Sequence, residues 1–530
     1  MKHELTKNYK SLIRFCVLFL AIGLISGALI VHALTPANTL YLSSGIYPGA
    51  SSYTIFQENG NVFAKNAYGQ IEYSGTDAGT LVNTVRSAIG TVGGEIHFVK
   101  GDFYCNTTFQ FIATGGSDPQ WITISGEGPA TQLYFNTAIP AIQIEGQAEF
   151  GTGGPYHFVI KDLVLTTSPA IGNMTRGIYV KNWFGLTIEN VMIFYASDAA
   201  IYLEDSGAIR LRNIYTCGCG GESLEIKGCM DIYIQQYYSD TDYRGVWIDQ
   251  SATYHLPWKI YFNQLKVTIP KQEGITIWQA SDIVVENFNI EGTINTAIKI
   301  GDSERIHIAH GDIRSLAQGI TISSSSKNMS TCNIIIDVVS IYQTYDHGIR
   351  IVSQATYPIG NIAIVNSVIQ NSGFNGGYYY GVSATNTAGG WVHNVTISSC
   401  FIGNRLGQTA TQRDGVHTEN QCDYFHIVDN TFYNNTASPI TLVGTHNTIK
   451  NNLGYVTYNS GSASIADGAT VNHGLSGTPT SVILTSSEVN YYPFCTSKAS
   501  TTFTVNWKYW NGTAFETATG SHALYWSAEF

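Results

Sequence analysis

The chain has 530 residues, of which 12% are charged and 12% are aromatic, and its formal net charge is −11. This length exceeds one ordinary hydrophobic core but suits a repeat rod with small end modules, and the aromatic content excludes a disordered chain. The net negative charge argues against nucleic-acid binding, which needs clustered Lys and Arg.

The N-terminal segment predicts export. Residues 1–14 are basic and precede an apolar run over residues 15–34. Such a run can span a bilayer as a helix, with its basic flank on the cytoplasmic side. Val31-His32-Ala33 also resembles a small-residue cleavage site. Two alternatives stay open, a retained membrane anchor and a cleaved signal peptide, and both predict an exported protein, anchored at the cell surface or secreted.

Cysteines and sequons fit an external location. Cys217, Cys219 and Cys229 are close enough in sequence to predict a disulfide among them outside the cell, with buried free thiols as the alternative. A zinc site is disfavoured because no second Cys or His pair has ligand spacing. A glycoprotein is indicated by six sequons, at Asn106, Asn173, Asn328, Asn394, Asn434 and Asn511.

Residues 35–90 are predicted to form an N-terminal hairpin and a capping helix. Ser52 to Tyr73 read as two strands around an Asn59-Gly60 turn, which is a strong hairpin signal. Residues 77–89 follow with apolar side chains at helical spacing. An amphipathic helix at this place is expected to close the first end of a repeat rod.

A repeat of about 23 residues dominates the predicted rod, residues 91–456. Its first motif is apolar-x-apolar after a small or turn residue, and the longer intervals between copies contain loop insertions. The first motif begins at Ile178, Ile201, Leu224, Val246, Ile275, Ile298, Ile320, Ile349, Val382, Val416 and Ile440. A second motif carries a turn position that is polar in ten of eleven copies, at Asn190, Asn213, Gln236, Gln264, Asn287, His310, Val338, Asn366, Ser399, Asp429 and Asn451.

These motifs predict an all-β solenoid. Apolar-x-apolar has the period of a strand, and strands at this spacing can pair with the same strand of the next coil, about 4.8 Å away. Each coil then buries its Ile/Val stripe against its neighbours, and Asn amides at the turn can hydrogen-bond along the stack. The pattern lacks the leucines of a leucine-rich repeat, and its period is too short for a propeller. The general rule for parallel crossovers predicts a right-handed parallel β-helix.

Three short elements near the start of the rod carry a family resemblance. They are Gly93-Gly94-Glu95-Ile96, Gly101-Asp102-Phe103-Tyr104 and Ser125-Gly126-Glu127-Gly128. The surrounding segment resembles the opening of pectate-lyase-superfamily proteins, specifically the rhamnogalacturonase/epimerase-like group. The resemblance implies a pectin-lyase-like β-helix and leaves activity open, because that group spans lyases, hydrolases, phage tailspikes and non-catalytic members. Related tailspike β-helices trimerise, so the resemblance also implies a possible homotrimer.

Residues 462–530 change periodicity and predict a small C-terminal antiparallel β-sandwich. The segment resembles terminal modules of phage and archaeal surface β-helix proteins, some of them similar to H-type lectins. Asn472-His473-Gly474-Leu475 is its most recognisable element. Capping of the rod is the favoured role, with trimerisation or sugar contact as alternatives.

The outward positions of the first motif predict a substrate-binding face. Aromatic faces beside carboxylates suit sugar rings, which offer C–H groups for stacking and hydroxyls for hydrogen bonds. The alternative is a surface ladder of charges from Lys181 to Asp249, in which each exposed ion pair contributes about 0–1 kcal/mol. The predicted substrate-binding residues are Tyr179, Tyr202, Trp247, Trp278 and Lys227.

The turn Asp240-Thr241-Asp242-Tyr243-Arg244 is the densest candidate for chemistry. Asp240, Asp242 and Asp249 could hold Ca²⁺, which takes oxygen ligands, while Arg244 faces a substrate carboxylate in a polysaccharide lyase. A glycoside hydrolase would instead use the carboxyl pair Glu225 and Asp249. The alternative is an ordinary polar turn.

A second constellation lies further along the rod. Its members are Asp346, His347 and Arg350, followed two coils later by Asp414, His417 and Glu419. The sequence from Asp346 to Arg350 faintly resembles polygalacturonase motifs. That family also needs paired acids on preceding coils, and residues 316–323 contain none, so polygalacturonase activity is rejected.

Together these features predict an exported β-helix protein that binds, and could depolymerise, a polysaccharide along its outward sheet face. A membrane contact is expected only through residues 15–34. The alternative is a non-catalytic structural or adhesive protein of a cell surface or a virion appendage.

Overall fold

A computed structural model describes the chain over residues 51–113, 121–146, 157–167, 174–253, 255–325, 330–354, 357–374, 376, 379–387 and 389–530. The basic segment and the apolar run predicted over residues 1–34 lie outside these ranges, so both stay predictions. Within the described ranges, no helix combines the length and the apolar character needed to cross a membrane.

An antiparallel hairpin and one helix lie at the start of the rod. β1 (Ser51–Glu58) pairs with β2 (Asn61–Asn66), and β3 (Ile71–Gly75) pairs with β2 in turn. The helix α1 (Ala78–Ile89) is capped by Asp77, whose carboxylate accepts a hydrogen bond of 2.9 Å from Thr80 N. Its buried side chains belong to the same hydrophobic core as the coils that follow, so the helix covers apolar surface that the first coil would otherwise expose.

Two long parallel sheets make up the rod. Sheet I has one short strand per coil and thirteen strands in all: β6 (Phe109–Ile112), β9 (Ile142–Glu145), β11 (Ile178–Lys181), β13 (Ile201–Glu204), β15 (Glu222–Lys227), β17 (Arg244–Asp249), β19 (Ile275–Trp278), β21 (Ile298–Gly301), β23 (Ile320–Ser324), β25 (Ile349–Ser353), β28 (Val382–Asn386), β31 (Asp414–Thr418) and β34 (Ser438–Thr441). All eleven predicted copies of the first motif lie in this sheet.

Sheet II contains 22 strands and includes the N-terminal hairpin. Besides β1 to β3 its members are β4 (Gly94–Phe98), β5 (Gly101–Cys105), β7 (Trp121–Ser125), β8 (Thr131–Phe135), β10 (His157–Thr166), β12 (Phe184–Phe194), β14 (Gly207–Cys217), β16 (Met230–Asp240), β18 (Trp258–Thr268), β20 (Ser281–Thr293), β22 (Glu304–Ser315), β24 (Thr331–Tyr342), β26 (Ile359–Val365), β27 (Val368–Gln370), β29 (Val392–Ser398), β30 (Phe401–Gly403), β32 (Cys422–Val428), β33 (Thr431–Tyr433) and β35 (Thr448–Lys450). A short 3-10 helix, Gly128–Ala130, precedes β8.

Parallel pairing places equivalent residues of successive coils side by side. In β11 the inward Ile178 and Val180 are fully buried, and they pair with Ile201 and Leu203 of β13, which are equally buried. One continuous core of such residues extends from the N-terminal cap to Ile440. Alternation of apolar and polar residues therefore fixes which side chains face outward on sheet I.

A shared backbone conformation explains why the residues of the predicted turn column are mostly polar. All eleven of its residues adopt a positive φ, between 50° and 61°. Asn is one of the few residues that enter this left-handed region at little cost, which explains its frequency at this position. The predicted hydrogen bonding along the stack occurs locally, from Asn213 Nδ2 to Asn190 Oδ1 at 2.8 Å. Backbone conformation, rather than a continuous amide ladder, is thus the shared property of the column.

The C-terminal residues form two small antiparallel sheets around a separate core that includes Phe503, Trp507 and Trp526. His473 is buried there, and its ring bonds only to backbone, with Nε2 3.0 Å from the Ala499 carbonyl and Nδ1 accepting from Leu475 N. The strands are β36 (Tyr458–Ala466), β38 (Ser481–Ser486) and β42 (Ser521–Glu529) in one sheet, and β37 (Ala469–Asn472), β39 (Tyr491–Lys498), β40 (Thr502–Trp510) and β41 (Phe515–Thr517) in the other.

The predicted disulfide among Cys217, Cys219 and Cys229 is not formed. All eight cysteines of the described residues are free, and Cys219 and Cys229 are buried. Burial raises the pKa of both thiols well above its ordinary value, so these side chains act as small apolar residues of the core.

Candidate functional site

The outward row of sheet I runs along the rod in continuous register. Each of its residues pairs with its neighbour on the next coil, as the spacing predicts. We call this set the outward row: Tyr179, Tyr202, Glu225, Trp247, Thr276, Lys299, Thr321, Arg350, Ser383, His417 and Thr441.

The N-terminal half of this face is a network of ion pairs. Arg244 lies between two buried acids, with Nη1 3.0 Å from Glu222 and Nε 2.9 Å from Glu273. Lys227 Nζ lies 2.6 Å from Glu225, and Lys181 lies 3.3 Å from Glu204. These pairs favour the ladder interpretation for this half of the sheet, because its charged groups are already satisfied by one another.

The predicted sugar-stacking aromatics are covered by cations. The guanidinium of Arg176 lies 3.9 Å from the ring centroid of Tyr202, and that of Arg244 lies 4.5 Å from the ring centroid of Trp247. Lys227 reaches the rings of both Tyr202 and Trp247, at 5.4 and 5.6 Å. Tyr202 is only 7% exposed and the ring of Tyr179 lies 5.5 Å from it at a tilted angle, so a sugar ring would have to displace protein groups to stack there.

The predicted catalytic acids have raised pKa values. Burial raises the pKa of Glu225, although its hydrogen bond from Lys227 works in the opposite direction. Burial likewise raises the pKa of Asp249, against a hydrogen bond of 2.7 Å from Gln250 N. For Arg244, burial lowers the pKa, but the hydrogen bonds from the guanidinium to Glu273 and Glu222 more than offset this and raise it. Arg244 therefore stays charged and held between two acids rather than directed at a substrate.

The predicted Ca²⁺ ligands Asp240, Asp242 and Asp249 are not brought together. Asp242 is fully buried, and its carboxylate accepts hydrogen bonds from Thr216 and Ser239 hydroxyls and from Cys219 N. This side chain braces the turn from inside, and the short polar residues around it explain why it turns inward.

A different group of acids lies closer together. Among the described residues, oxygens of Asp198, Glu222 and Glu225 lie within 4.8 Å of one another. Each of these carboxylates contacts one cation of the protein, respectively Arg176, Arg244 and Lys227. The three charges are therefore compensated within the protein, and the group is part of the ion-pair network rather than a metal site.

The C-terminal half of the outward row has a different charge pattern. Lys299 and Arg350 lie two coils apart, and neither forms an ion pair with any described residue. Lys299 Nζ lies 5.4 Å from the ring centroid of Trp278, and Arg350 Nε is buried without a hydrogen-bond partner in the described chain. The rod thus changes from compensated to uncompensated positive charge along one face.

A cluster of ring side chains adjoins Arg350, and we call it the His417 cluster: His347, Tyr380, Asp414 and His417. The rings of Tyr380 and His417 stack with centroids 4.1 Å apart, and His347 stacks on Tyr380 at 5.2 Å. His417 Nδ1 lies 2.9 Å from Asp414 Oδ2. Burial, with the charges of Arg350 and His417, lowers the pKa of His347 to about 4, so its imidazole is neutral at pH 7.

Of the residues in and beside this cluster, the sequence predicted His347, Arg350, Asp414 and His417 as candidates, but not Tyr380. Tyr380 lies two residues before the first motif of its coil, in a second outward row that also holds Glu222, Arg244 and Glu273. The sequence contains a signal for Tyr380, because the position two residues before the first motif carries a charged or aromatic residue on several coils. An open cleft of about 270 Å³ beside the cluster is lined by Asn386, His417, Thr418, Glu419, Asn420 and Val443.

In comparisons with known proteins, residues 176–364 match a family model described as "Right handed beta helix region". No curated protein matches the sequence. Among solved structures, the chain is similar to the A-module of the Azotobacter vinelandii mannuronan C-5 epimerase AlgE6, with 14% identity, a TM-score of 0.40, and coverage of 71% of this chain and 95% of that one.

Two further similar structures come from other classes of protein. The catalytic unit of a GH87 alpha-1,3-glucanase from Streptomyces thermodiastaticus shares 12% identity with a TM-score of 0.48, covering 69% of this chain and 67% of that one. The tailspike protein gp49 of Pseudomonas phage LKA1 shares 10% identity with a TM-score of 0.48, covering 84% of this chain and 91% of that one. At these identities, no activity of those proteins is transferred to this chain.

Proposed function

We propose that this right-handed parallel β-helix protein is exported and binds an acidic polysaccharide along the outward face of sheet I, between Lys299 and His417. The observation that carries the proposal is the change from paired to unpaired cations along the outward row. Among the described residues, the acids that pair with the cations of the first half have no counterpart that pairs with Lys299 or Arg350.

The spacing of the two cations suits a repeating ligand. Lys299 and Arg350 are separated by Thr321 in the row, and two steps of a parallel sheet correspond to roughly 10 Å. An extended acidic polysaccharide carries carboxylates at regular intervals, so it can meet both cations at once. Arg350 offers the planar donor set that suits a carboxylate, and Lys299 offers a compact positive charge.

One arrangement favours a second candidate function, which is cleavage of the bound chain by β-elimination. Asp414 accepts a hydrogen bond from Ser438 N at 3.2 Å and faces His417 Nδ1, which leaves His417 Nε2 able to accept a proton. In this reaction the base removes the proton α to the uronate carboxylate. The electron pair of the broken C–H bond forms a C=C bond, the glycosidic C–O bond breaks, and the leaving oxygen takes a proton from solvent water. Arg350 would neutralise the carboxylate.

Affinity electrophoresis in gels containing alginate or polygalacturonate tests the binding proposal. The double variant Lys299→Ala, Arg350→Ala should lose most of the retardation that the unchanged protein shows in at least one gel. Lys266→Ala is the matched control, because Lys266 is an exposed cation on sheet II. Retardation that falls equally in the control, or no retardation by any acidic polysaccharide, would count against the proposal.

Absorbance of unsaturated uronates in the same mixtures tests the second candidate. Product formation that disappears in His417→Ala would support β-elimination. Binding without product would leave the face as a recognition surface, which is the adhesive role that the sequence offered as its alternative.

A further inference from the structure

On sheet II, turn residues at equivalent positions of successive coils form a column, and the type of side chain in this column changes near the end of the rod. On successive coils it consists of Asp231, Lys259, Asp282, Arg305, Asn333, Asn361, Asn394, Tyr424 and His446, each with φ between 53° and 59°. Up to Asn394 these residues are polar and bond to each other, as in the hydrogen bonds of 3.3 Å from Asn361 to Asn333 and from Asn394 to Asn361.

The last two positions replace this polar column with rings. Tyr424 and His446 stack with centroids 4.6 Å apart and planes within 8°. A bulky aromatic residue with positive φ is a genuine exception, since the left-handed region costs roughly 1–2 kcal/mol outside Gly, Asn and Asp. Asn would fit the backbone better than Tyr at position 424, so the tyrosine ring stands against the local preference of the chain.

An exposed tryptophan lies beside this pair. Trp391 is 56% exposed and is the one tryptophan of the chain's nine that is largely open to solvent, while Tyr424 is 45% exposed. Both rings line an open cleft of about 420 Å³, which we call the Tyr424 cleft. Its lining residues are Trp391, Val392, His393, Asn394, Asp423, Tyr424, Thr445 and His446.

The polar residues of the Tyr424 cleft suit hydroxyl groups. Asp423 Oδ1 is held by Thr445 N and Oγ1, at 2.6 and 3.0 Å, which fixes the orientation of the carboxylate. His393 Nδ1 has no hydrogen-bond partner among the described residues. Neither Lys nor Arg is among the lining residues, so the cleft lacks the cations that an acidic sugar would need.

We propose that the Tyr424 cleft is a second glycan-binding site, separate from sheet I, and that it takes a neutral sugar ring. Trp391 and Tyr424 supply flat apolar surfaces for the C–H face of the ring, and Asp423 and Asn394 supply hydrogen-bond partners for its hydroxyls. Flat rings exposed beside fixed polar groups favour a sugar over a protein partner, because the only aliphatic lining residue, Val392, is buried.

One substitution should weaken sugar binding without lowering the stability of the protein. Tyr424→Asn restores the residue that the turn prefers, so the thermal unfolding temperature should be equal to that of the unchanged protein or higher. The same change removes a stacking surface and should raise the Kd for the sugar by about tenfold or more. A purely structural role for Tyr424 would instead make the variant less stable.

Native affinity gels containing a soluble neutral glucan, galactan or mannan test the proposal, with full-length protein made in a host that does not glycosylate the Asn394 sequon. The expected result is retardation by at least one neutral polysaccharide that persists at high salt and is lost in Tyr424→Asn, His446→Asn and Trp391→Ala. Tyr233→Ala is the matched control, because Tyr233 is an exposed, stacked tyrosine elsewhere on sheet II.

The outcome is independent of the sheet I proposal. The double variant Lys299→Ala, Arg350→Ala should leave binding to the neutral polysaccharide unchanged. If this variant loses that binding, the neutral ligand lies on sheet I and the inference is overturned. Absence of binding to every neutral polysaccharide, or full binding by Tyr424→Asn, would overturn it equally.

Discussion

Asp414 Oδ2 lies 2.9 Å from His417 Nδ1, and both residues lie on β31 of sheet I, where Asp414 is buried. This contact fixes the imidazole of His417 and points its second nitrogen away from the acid. His417 lies on the same row as Arg350, so the orientation that Asp414 gives to its ring links the architecture of the sheet to the proposed binding face.

Asp414→Ala should destabilise the protein by about 1–3 kcal/mol, because it leaves Ser438 N and His417 Nδ1 without their acceptor in a buried place. Chemical unfolding followed by tryptophan fluorescence measures this change. Asp414→Asn keeps one acceptor oxygen and should cost less. Equal losses in the two variants would mean that the negative charge, which both variants remove, matters at this position rather than the retained acceptor oxygen.

The protein should become less stable as the pH falls, because of His347. Its folded pKa of about 4 lies below the ordinary value of about 6.5, so the unfolded chain takes up the proton first. The stabilising effect is complete above about pH 6.5 and is lost as the pH falls toward 4, a change of about 3 kcal/mol. His347→Gln should flatten the stability curve in this range. An unchanged curve would show that folding does not lower the pKa of His347.

Arg244 should be a structural rather than a catalytic residue. Arg244→Ala leaves Glu222 and Glu273 buried without their shared cation, and the expected loss of stability is about 3–5 kcal/mol. Adding Glu222→Gln and Glu273→Gln to that variant should recover part of the loss. If Arg244→Ala keeps its stability but loses polysaccharide binding, Arg244 is the substrate residue that the sequence suggested.

Val338 offers a site for stabilisation. This β-branched residue has a φ of 52° and is 43% exposed, at a position that carries Asn on five other coils. Val338→Asn should stabilise the rod by about 1 kcal/mol, measured by thermal unfolding. The neighbouring Val339 is buried, and Val339→Asn should be strongly destabilising, which tests that the effect belongs to the backbone position.

The fold could be predicted from the sequence because its signals are local and repeated. The inward Ile and Val of the first motif recur on every coil, and the turn column is polar because its backbone has a positive φ. Register along sheet I then follows from the spacing, since loop insertions lengthen a coil without moving its strand.

The site could be predicted only in part, because it depends on side-chain contacts between coils. Whether Arg244 faces a ligand or joins Glu222 to Glu273 is decided by rotamers on three coils, which no single motif records. The inward turn of Asp242 depends on Thr216, a full coil away. The stacking of Tyr380 on His417 joins residues of two coils, so the motif of either coil alone does not show it.

Protection of Arg350 from an arginine-specific reagent would show whether the ligand lies on sheet I. A bound acidic polysaccharide should slow the labelling of Arg350, read by peptide mass spectrometry, while the exposed Arg210 on sheet II should be labelled at the same rate with and without the polysaccharide. Equal labelling of Arg350 in the free and bound protein, under conditions where binding is demonstrated, would contradict the claim that sheet I is the binding face.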